Sequence, residues 1–131
     1  MLGSRRTPPA LIETLRPRLA DVPGLLWAGQ DDGRNPYPGV LGWADRLVVT
    51  PDSVNMLSEA CAVGCPVLTF SRSPLPAKIA HFHQTLRNTG LLHDIDALGT
   101  APQTPLRETA RVAALVRARI EATVAEVAAR P

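Results

Sequence analysis

The feature that most constrains the fold is a short apolar run that stops at a turn and is followed at once by an amphipathic segment. The run is Leu47-Val48-Val49, and the turn is Thr50-Pro51-Asp52-Ser53. The residues after the turn, 54–63, place apolar side chains at helical spacing. Because Asp and Ser are preferred where helices begin, the pattern predicts a buried strand, a tight turn and a capped helix.

The same alternation continues along the chain. Apolar runs predict strands at residues 1–3, 25–28, 46–50 and 67–70, with a short edge piece near residues 91–92. Helical patterns separate them at residues 9–20, 40–44, 53–63, 77–88 and 106–129, and Gly64 is the expected C-cap of the third helix. Strands that alternate with helices indicate an α/β fold, so we expect a Rossmann-like parallel sheet with helices on both faces.

The first predicted strand is unusually short for this type of sheet. A doubly wound sheet usually has its first strand in the middle, and strands run ~5–6 residues. Only residues 1–3 are left for that strand here. We therefore expect residues 1–131 to form a single domain with a truncated first strand, taken from a longer two-domain protein whose N-terminal domain is missing.

Composition excludes several classes of function. The 131 residues are 45% hydrophobic with a formal net charge of +2, which is typical of a globular domain. There is no basic run for nucleic acid, and no apolar stretch reaches the ~20 residues of a membrane span. The N-terminus lacks the apolar region of a signal peptide, so a cytoplasmic location is expected, with Cys61 and Cys65 as free thiols.

The histidines do not predict a metal site. His81 and His83 lie two positions apart on a predicted helix and so point to different sides, and His93 is distant. His81 lies near the start of that helix, where it is a candidate for contact with a ligand. The chain also lacks the glycine-rich, Walker and nucleophile-elbow motifs, so no cofactor is expected.

The turn at residues 50–53 offers a site for an anion. The first N–H groups of a helix that begins at the carboxyl edge of a sheet readily hold phosphate. Glu59 follows about two turns into the helix and offers a carboxylate to hydroxyl groups. A sugar nucleotide requires both features. The alternative is that Asp52 and Ser53 only cap the helix and that Glu59 is an ordinary exposed residue.

Three separated pieces of the sequence resemble one known family. They are Ser4-Arg5-Arg6-Thr7-Pro8, then Asn35-Pro36-Tyr37, and then Ala44-Asp45 through Asp52-Ser53-Val54-Asn55-Met56-Leu57-Ser58-Glu59-Ala60 to Gly64-Cys65-Pro66-Val67. Their order and spacing resemble the mitochondrial fission Elm family. That family is similar to the C-terminal half of two-domain GT-B glycosyltransferases, and the segment from Asp45 to Phe70 resembles the donor-binding strand–helix–strand of the UDP-N-acetylglucosamine transferase of peptidoglycan synthesis.

The resemblance implies a set of residues that bind nucleotide or phosphate. Ser53 and the N–H groups after it would hold the donor diphosphate, Glu59 would accept hydrogen bonds from ribose hydroxyls, and residues 4–7 would face the cleft between two domains. The full set is Ser4, Arg5, Arg6, Thr7, Asp52, Ser53, Asn55, Met56, Ser58 and Glu59. No residue is assigned to catalysis. Cys65 departs from the family pattern, which often has a basic residue there.

The function implied is that of a C-terminal domain that binds a nucleoside-diphosphate sugar, of UDP type, in a glycosyltransferase-like protein, with no activity in the isolated chain. Two alternatives remain open: a non-catalytic protein-interaction module, and a gene remnant without independent activity.

The last predicted helix carries an apolar stripe at Val112, Val116, Ile120, Val124 and Val127. This stripe either covers its own sheet or, as the resemblance implies, packs across the domain cleft; if it is exposed, it predicts self-association.

Overall fold

The computed structural model describes residues 1–4, 7–97 and 103–128. The chain divides into two compact units, Met1–Ala44 and Asp45–Pro131. The first unit contains helix α1 (Pro9–Leu19), one turn of 3₁₀ helix (Gln30–Asp32) and helix α2 (Tyr37–Trp43). None of the helices in the described part of the chain is long and apolar enough to cross a bilayer.

The two strands predicted in the first unit are reduced to a single parallel bridge between Leu2 and Trp27. Two backbone hydrogen bonds flank this bridge: the Gly3 N–H donates to the Trp27 carbonyl at 2.7 Å, and the Trp27 N–H donates to the Met1 carbonyl at 3.1 Å. Of the apolar side chains on α1, Ile12 is buried at 9% exposure, whereas Leu11 is 45% exposed.

Asp32 connects three segments of the first unit. Its Oδ1 accepts a hydrogen bond from Arg16 Nη2 at 2.7 Å, and its Oδ2 accepts one from the Ala28 N–H at 2.8 Å. The Arg16 hydrogen bond, assisted by the Ala28 N–H, lowers the pKa of the Asp32 carboxyl below its ordinary value of 3.8. Beside it, Trp27 Nε1 donates to the Gly33 carbonyl at 3.0 Å.

The second unit is built from two consecutive strand–helix–strand repeats and a final helix. Its elements are β1 (Leu47–Val48), α3 (Val54–Cys61), β2 (Val67–Thr69), α4 (Ala77–Asn88), β3 (His93–Asp94) and α5 (Glu108–Ala128). The three strands are parallel in the order β1-β2-β3, with Leu47 opposite Val67 and Leu68 opposite His93. The predicted α/β class with a Rossmann-like parallel sheet is therefore confirmed.

The core of the second unit lies around the central strand β2. All three residues of β2 are at most 1% exposed, and Leu57 and Cys61 of α3 are fully buried. The outer strand β1 departs from the uniform burial that its composition predicts, because Val48 is 54% exposed. Its neighbours Leu47 and Val49 are 9% and 7% exposed, because successive side chains of a strand point to opposite faces and only one face of β1 is covered.

A short segment after the sheet, residues 103–106, crosses the end of α3 and is called the 103–106 strap below. The Gln103 N–H donates to the Gly64 carbonyl at 3.0 Å, and the Leu106 N–H donates to the Cys61 carbonyl at 2.9 Å. Helix α3 ends two residues earlier than predicted, with Ala62 rather than Gly64 as its C-cap. Gly64 instead adopts a left-handed conformation, with φ at +86°.

Helix α5 does not cover the sheet of its own unit. Every residue from Glu108 to Ala128 is exposed. The five apolar side chains of the predicted stripe are 48–64% exposed. Of the two arrangements expected for this helix, coverage of its own sheet is therefore wrong.

Candidate functional site

The junction between β1 and α3 is a strand–turn–capped-helix unit, as the sequence predicts. Ser53 occupies the N-cap in an extended conformation, with φ −117° and ψ 98°, and its Oγ accepts a hydrogen bond from the Met56 N–H at 3.4 Å. This distance is long for such a bond, so the cap is weak. The N–H groups of Val54 and Asn55 come before the first intrahelical donor of α3, where an anion is favoured.

Two buried side chains hold this junction from the neighbouring elements. Thr69 of β2 is 1% exposed, and its Oγ1 donates to the carbonyl of Val49 at 2.8 Å. His83 of α4 is also 1% exposed, and its Nε2 lies 2.9 Å from the carbonyl oxygen of Pro51. Both contacts fix backbone carbonyls at the end of β1, so the turn is positioned by side chains that lie outside the predicted site.

The His83 contact also defines the state of its ring. A carbonyl oxygen only accepts hydrogen bonds, so the Nε2 atom that faces Pro51 carries the hydrogen. In a neutral ring Nδ1 is then an acceptor, and within the described residues this buried atom has no hydrogen-bond partner. The ring of Phe82 packs edge-on, with its centroid 6.2 Å away.

Glu59 lies farther along α3 and is exposed. It lies six positions after Ser53, which places it about 9 Å along the helix axis and about 120° around it. A single ligand that reached both residues would have to run across the start of the helix. An extended molecule such as a nucleoside diphosphate has this length, whereas a lone phosphate does not.

The other predicted residues of α3 differ in their exposure. Asp52 and Asn55 are exposed, and Met56 is half-buried. The hydroxyl of Ser58 donates to the carbonyl of Val54 at 2.9 Å, within the helix itself. The predicted set from Asp52 to Glu59 is therefore gathered on one turn and the two helical turns that follow it.

The remaining predicted residues belong to the first unit. The Ser4 N–H donates to Thr7 Oγ1 at 2.9 Å, and the Thr7 N–H donates to the Ser4 carbonyl at 2.9 Å. These reciprocal bonds form a closed turn that leads into α1. Arg5 and Arg6, the two predicted cations of this turn, lie outside the described residues.

The first unit also carries a groove that the sequence did not predict. It has a volume of about 630 Å³ and is lined by the loop before α2 and one side of that helix: Arg34, Asn35, Pro36, Pro38, Gly39, Val40, Trp43 and Ala44. Trp43 is 90% exposed at its edge. Asn35 Oδ1 accepts from the Tyr37 N–H at 2.9 Å, so this motif shapes the start of α2.

The cysteines and histidines do not form a metal centre. Both cysteines are free thiols, and burial raises the pKa of Cys61 to about 11, which leaves it protonated and unreactive near neutral pH. Its Sγ donates to the Leu91 carbonyl at 3.3 Å. Among the described residues, no three or more His, Cys, Asp or Glu side chains are grouped so that they could hold a metal ion.

Comparison with known proteins places these features in one family. The family model for mitochondrial fission ELM1 matches residues 1–120. The mitochondrial fission protein ELM1 of Arabidopsis thaliana is 35% identical over 124 residues, which cover 91% of this chain. The chain spans 29% of the length of that relative. No solved structure matches the chain.

Proposed function

Because the chain belongs to the mitochondrial fission ELM1 family, we propose that its second unit binds the diphosphate of a nucleoside-diphosphate sugar at the start of α3. The observation that carries this proposal is the turn at residues 50–53. It ends a buried strand, leads into a helix with a weak cap and is held by Thr69 and His83. A helix start with N–H groups available is the place where a phosphate is stabilised by hydrogen bonds and by the helix dipole.

The proposed binding mode assigns a part of the nucleotide to each portion of the site. The diphosphate lies over the N–H groups of Val54 and Asn55, and the ribose hydroxyls donate to the carboxylate of Glu59. The resemblance to the family also implies that Ser4, Arg5, Arg6 and Thr7 of the first unit contact nucleotide or phosphate. A UDP-type donor follows from the resemblance to GT-B enzymes.

In this proposal the chain contributes donor binding and no catalysis. The resemblance to GT-B glycosyltransferases assigns the acceptor and the catalytic base to a second Rossmann-like domain across a cleft. Residues 1–131 would then be the donor domain of a two-domain protein, and the isolated chain would bind weakly and turn over nothing. The free thiols at Cys61 and Cys65 suit the proposed cytoplasmic location.

The first experiment measures the thermal unfolding of the chain with UDP, GDP, UDP-N-acetylglucosamine and uridine at millimolar concentrations. A ligand at one hundred times its Kd raises the free energy of unfolding by about 2.7 kcal/mol. We expect UDP or its sugar to raise the Tm and uridine, which has no phosphate, to leave it unchanged. If none of the nucleotides shifts the Tm of the folded protein, the proposal is wrong.

The second experiment tests Glu59 with a matched control. Glu59→Gln removes the charge that receives the ribose hydroxyls, and hydrogen bonds to charged groups contribute about 1.5–3 kcal/mol. We therefore expect UDP to bind about tenfold more weakly to the variant, whereas 2′,3′-dideoxy-UDP binds both proteins alike. Glu126→Gln, on the exposed α5, should change neither affinity, and equal UDP binding by wild type and Glu59→Gln would remove Glu59 from the site.

A non-catalytic interaction role is the second candidate. Trp43 favours it, because this side chain is 90% exposed at the edge of the 630 Å³ groove. Exposed aromatic residues are enriched at protein interfaces. The nucleotide titration separates the two functions, because an interaction module has no preference for UDP over uridine.

A further inference from the structure

Helix α5 is long and lies with both of its sides in solvent. It has 21 residues, and none of them is buried. Most of the stability of helices in proteins comes from packing an apolar face, since a helix without tertiary contacts is marginal in water. The length and regularity of α5 therefore point to a surface that covers it in the assembled protein.

The exposed face of α5 is a continuous apolar stripe. Val112, Val116, Ile120 and Val124 follow one another at intervals of four, and Val127 falls between Val116 and Ile120 around the helix axis. At about 100° per residue the five side chains lie within about 120° of one another, and they extend over about 22 Å. Their exposures run from 48% at Val112 to 64% at Val127. A contiguous apolar surface of this kind indicates an interface, unlike single exposed apolar residues.

The stripe is nearly symmetric about its midpoint. Val116 and Val124 lie four residues on either side of Ile120, and Val112 and Val127 lie eight and seven residues away. A contact between two identical subunits across a two-fold axis requires a patch that is complementary to itself. An antiparallel arrangement centred on Ile120 sets each valine of one helix against a valine of the other.

The charges beside the stripe fit the same arrangement. Arg117 and Glu121 border the stripe on one side, about 60° and 100° from Ile120. When two copies of α5 pair antiparallel with Ile120 at the centre, the side of one helix that carries Arg117 and Glu121 lies beside the same side of the other helix. Arg117 of one copy then lies within about 3 Å, along the axis, of Glu121 in the second copy, and the pair forms twice.

We propose that α5 pairs with α5 of a second copy of this chain, antiparallel and centred on Ile120. This inference is independent of nucleotide binding, since it uses no residue of the proposed nucleotide site. The interface is a single pair of helices, so the dimer is weak and dissociates on dilution.

The test is sedimentation equilibrium of the chain across micromolar to millimolar concentrations. The expected mass is twice the 14.0 kDa of one chain at the upper end and one chain at the lower end. Ile120→Glu buries a charge at the centre and should give one chain throughout. Ala118→Glu, about 160° around the helix, should dimerise as the wild type does. Circular dichroism verifies that both variants remain helical.

A charge exchange tests the antiparallel arrangement itself. Arg117→Glu and Glu121→Arg should each weaken the dimer about tenfold, because like charges then face each other, and the double variant should regain wild-type affinity. The proposal is overturned if the helical wild type remains a single chain at millimolar concentration. It is equally overturned if Ile120→Glu dimerises normally, or if the double variant stays as weak as the single ones. A wild type that stays monomeric would mean that the stripe binds a different polypeptide.

Discussion

At the scale of single residues, His83 links two elements that are distant in the sequence. Its ring is buried in α4, yet its Nε2 donates to the carbonyl of Pro51, 32 positions earlier. Pro51 has no backbone N–H, so its carbonyl oxygen is the only backbone group through which it can form a hydrogen bond. The turn before α3 is thereby fixed to the middle of α4.

Replacement of His83 should destabilise the protein in proportion to the loss of this bond. His83→Phe keeps a ring of similar size but has no donor, and a carbonyl that loses its partner costs about 1–3 kcal/mol. We expect urea unfolding to show a loss of this size for His83→Phe and a smaller one for His83→Gln, whose amide can donate. His81→Gln on the exposed side of α4 should stay within about 0.5 kcal/mol of wild type. Equal stability of His83→Phe and wild type would show that the bond contributes nothing.

The role of His83 could not be read from the sequence. A histidine beside Phe82 on a helical pattern indicates a polar surface residue, and the helical spacing of the apolar residues favours Ile79, Phe82 and Leu86 as the inward positions of α4. Leu86 is buried at 4% exposure, but His83 is more deeply buried than either Ile79 or Phe82. His83 and Leu86 are three positions apart and therefore lie on the same face of α4, which is the one sign of burial that the sequence contains. The burial of His83 is tolerated because its ring donates to a backbone carbonyl, and no pattern of side chains reveals that partner.

At the scale of elements, the 103–106 strap depends on the absence of a side chain at Gly64. The Gly64 carbonyl accepts a hydrogen bond from the Gln103 N–H, and the strap packs closely against the Gly64 Cα. A Cβ atom at this position would lie 2.9 Å from Pro105 Cγ and 3.3 Å from the Gln103 carbonyl oxygen. Glycine is therefore required here both for its positive φ and for its small size.

A pair of glycine variants separates these two requirements. Gly64 and Gly90 have φ values of +86° and +72°, but a Cβ at Gly90 would meet nothing within 4 Å. Gly90→Ala should cost about 1–2 kcal/mol from backbone strain alone, and Gly64→Ala should cost more because Pro105 must also move. Pro105→Ala in the Gly64→Ala background should recover part of the difference in urea unfolding. If Gly64→Ala costs no more than Gly90→Ala, the close packing of the strap is unimportant.

The elements themselves were predicted to different degrees. The bounds of α4 were predicted without error because a loop with prolines precedes it and Gly90 follows it. The strands predicted at 46–50 and 67–70 lie in the right places but are only two and three residues long, whereas β3 lies at His93–Asp94 rather than at 91–92, since hydrogen-bond pairing depends on partners from distant segments. In the site, the cap at Ser53 was predicted from its local pattern, whereas the support from Thr69 and His83 is tertiary. The nucleotide-binding roles of the whole predicted set remain predictions, and Arg5 and Arg6 lie outside the described residues.

At the scale of the whole molecule, the first unit holds a carboxyl group whose hydrogen bonds make its stability depend on pH. In the first unit Asp32 has a lowered pKa because it accepts the Arg16 and Ala28 hydrogen bonds. A carboxyl whose pKa is lower in the folded state stabilises the fold above its ordinary pKa of 3.8, and this stabilisation is lost as the pH falls through the lowered value. The first unit should therefore weaken in acid.

Both tryptophans lie in the first unit, so their fluorescence reports on Met1–Ala44 alone. We expect the urea midpoint measured by tryptophan fluorescence to fall as the pH is lowered below about 4. Asp32→Asn should have a lower midpoint at neutral pH and a smaller decrease in acid, because it has no carboxylate to protonate. An acid decrease of the same size in Asp32→Asn would assign the effect to other carboxyl groups.

The hydrogen bond between His83 and Pro51 also makes the imidazole a natural spectroscopic reporter. Its ring nitrogens have NMR shifts that depend strongly on hydrogen bonding, and this ring is shielded from solvent at 1% exposure. A ligand that binds at the start of α3 and shifts the Pro51 peptide group alters the hydrogen bond between Pro51 and His83 without contacting the imidazole ring. Occupancy of the site can thus be followed through a nucleus that no ligand reaches.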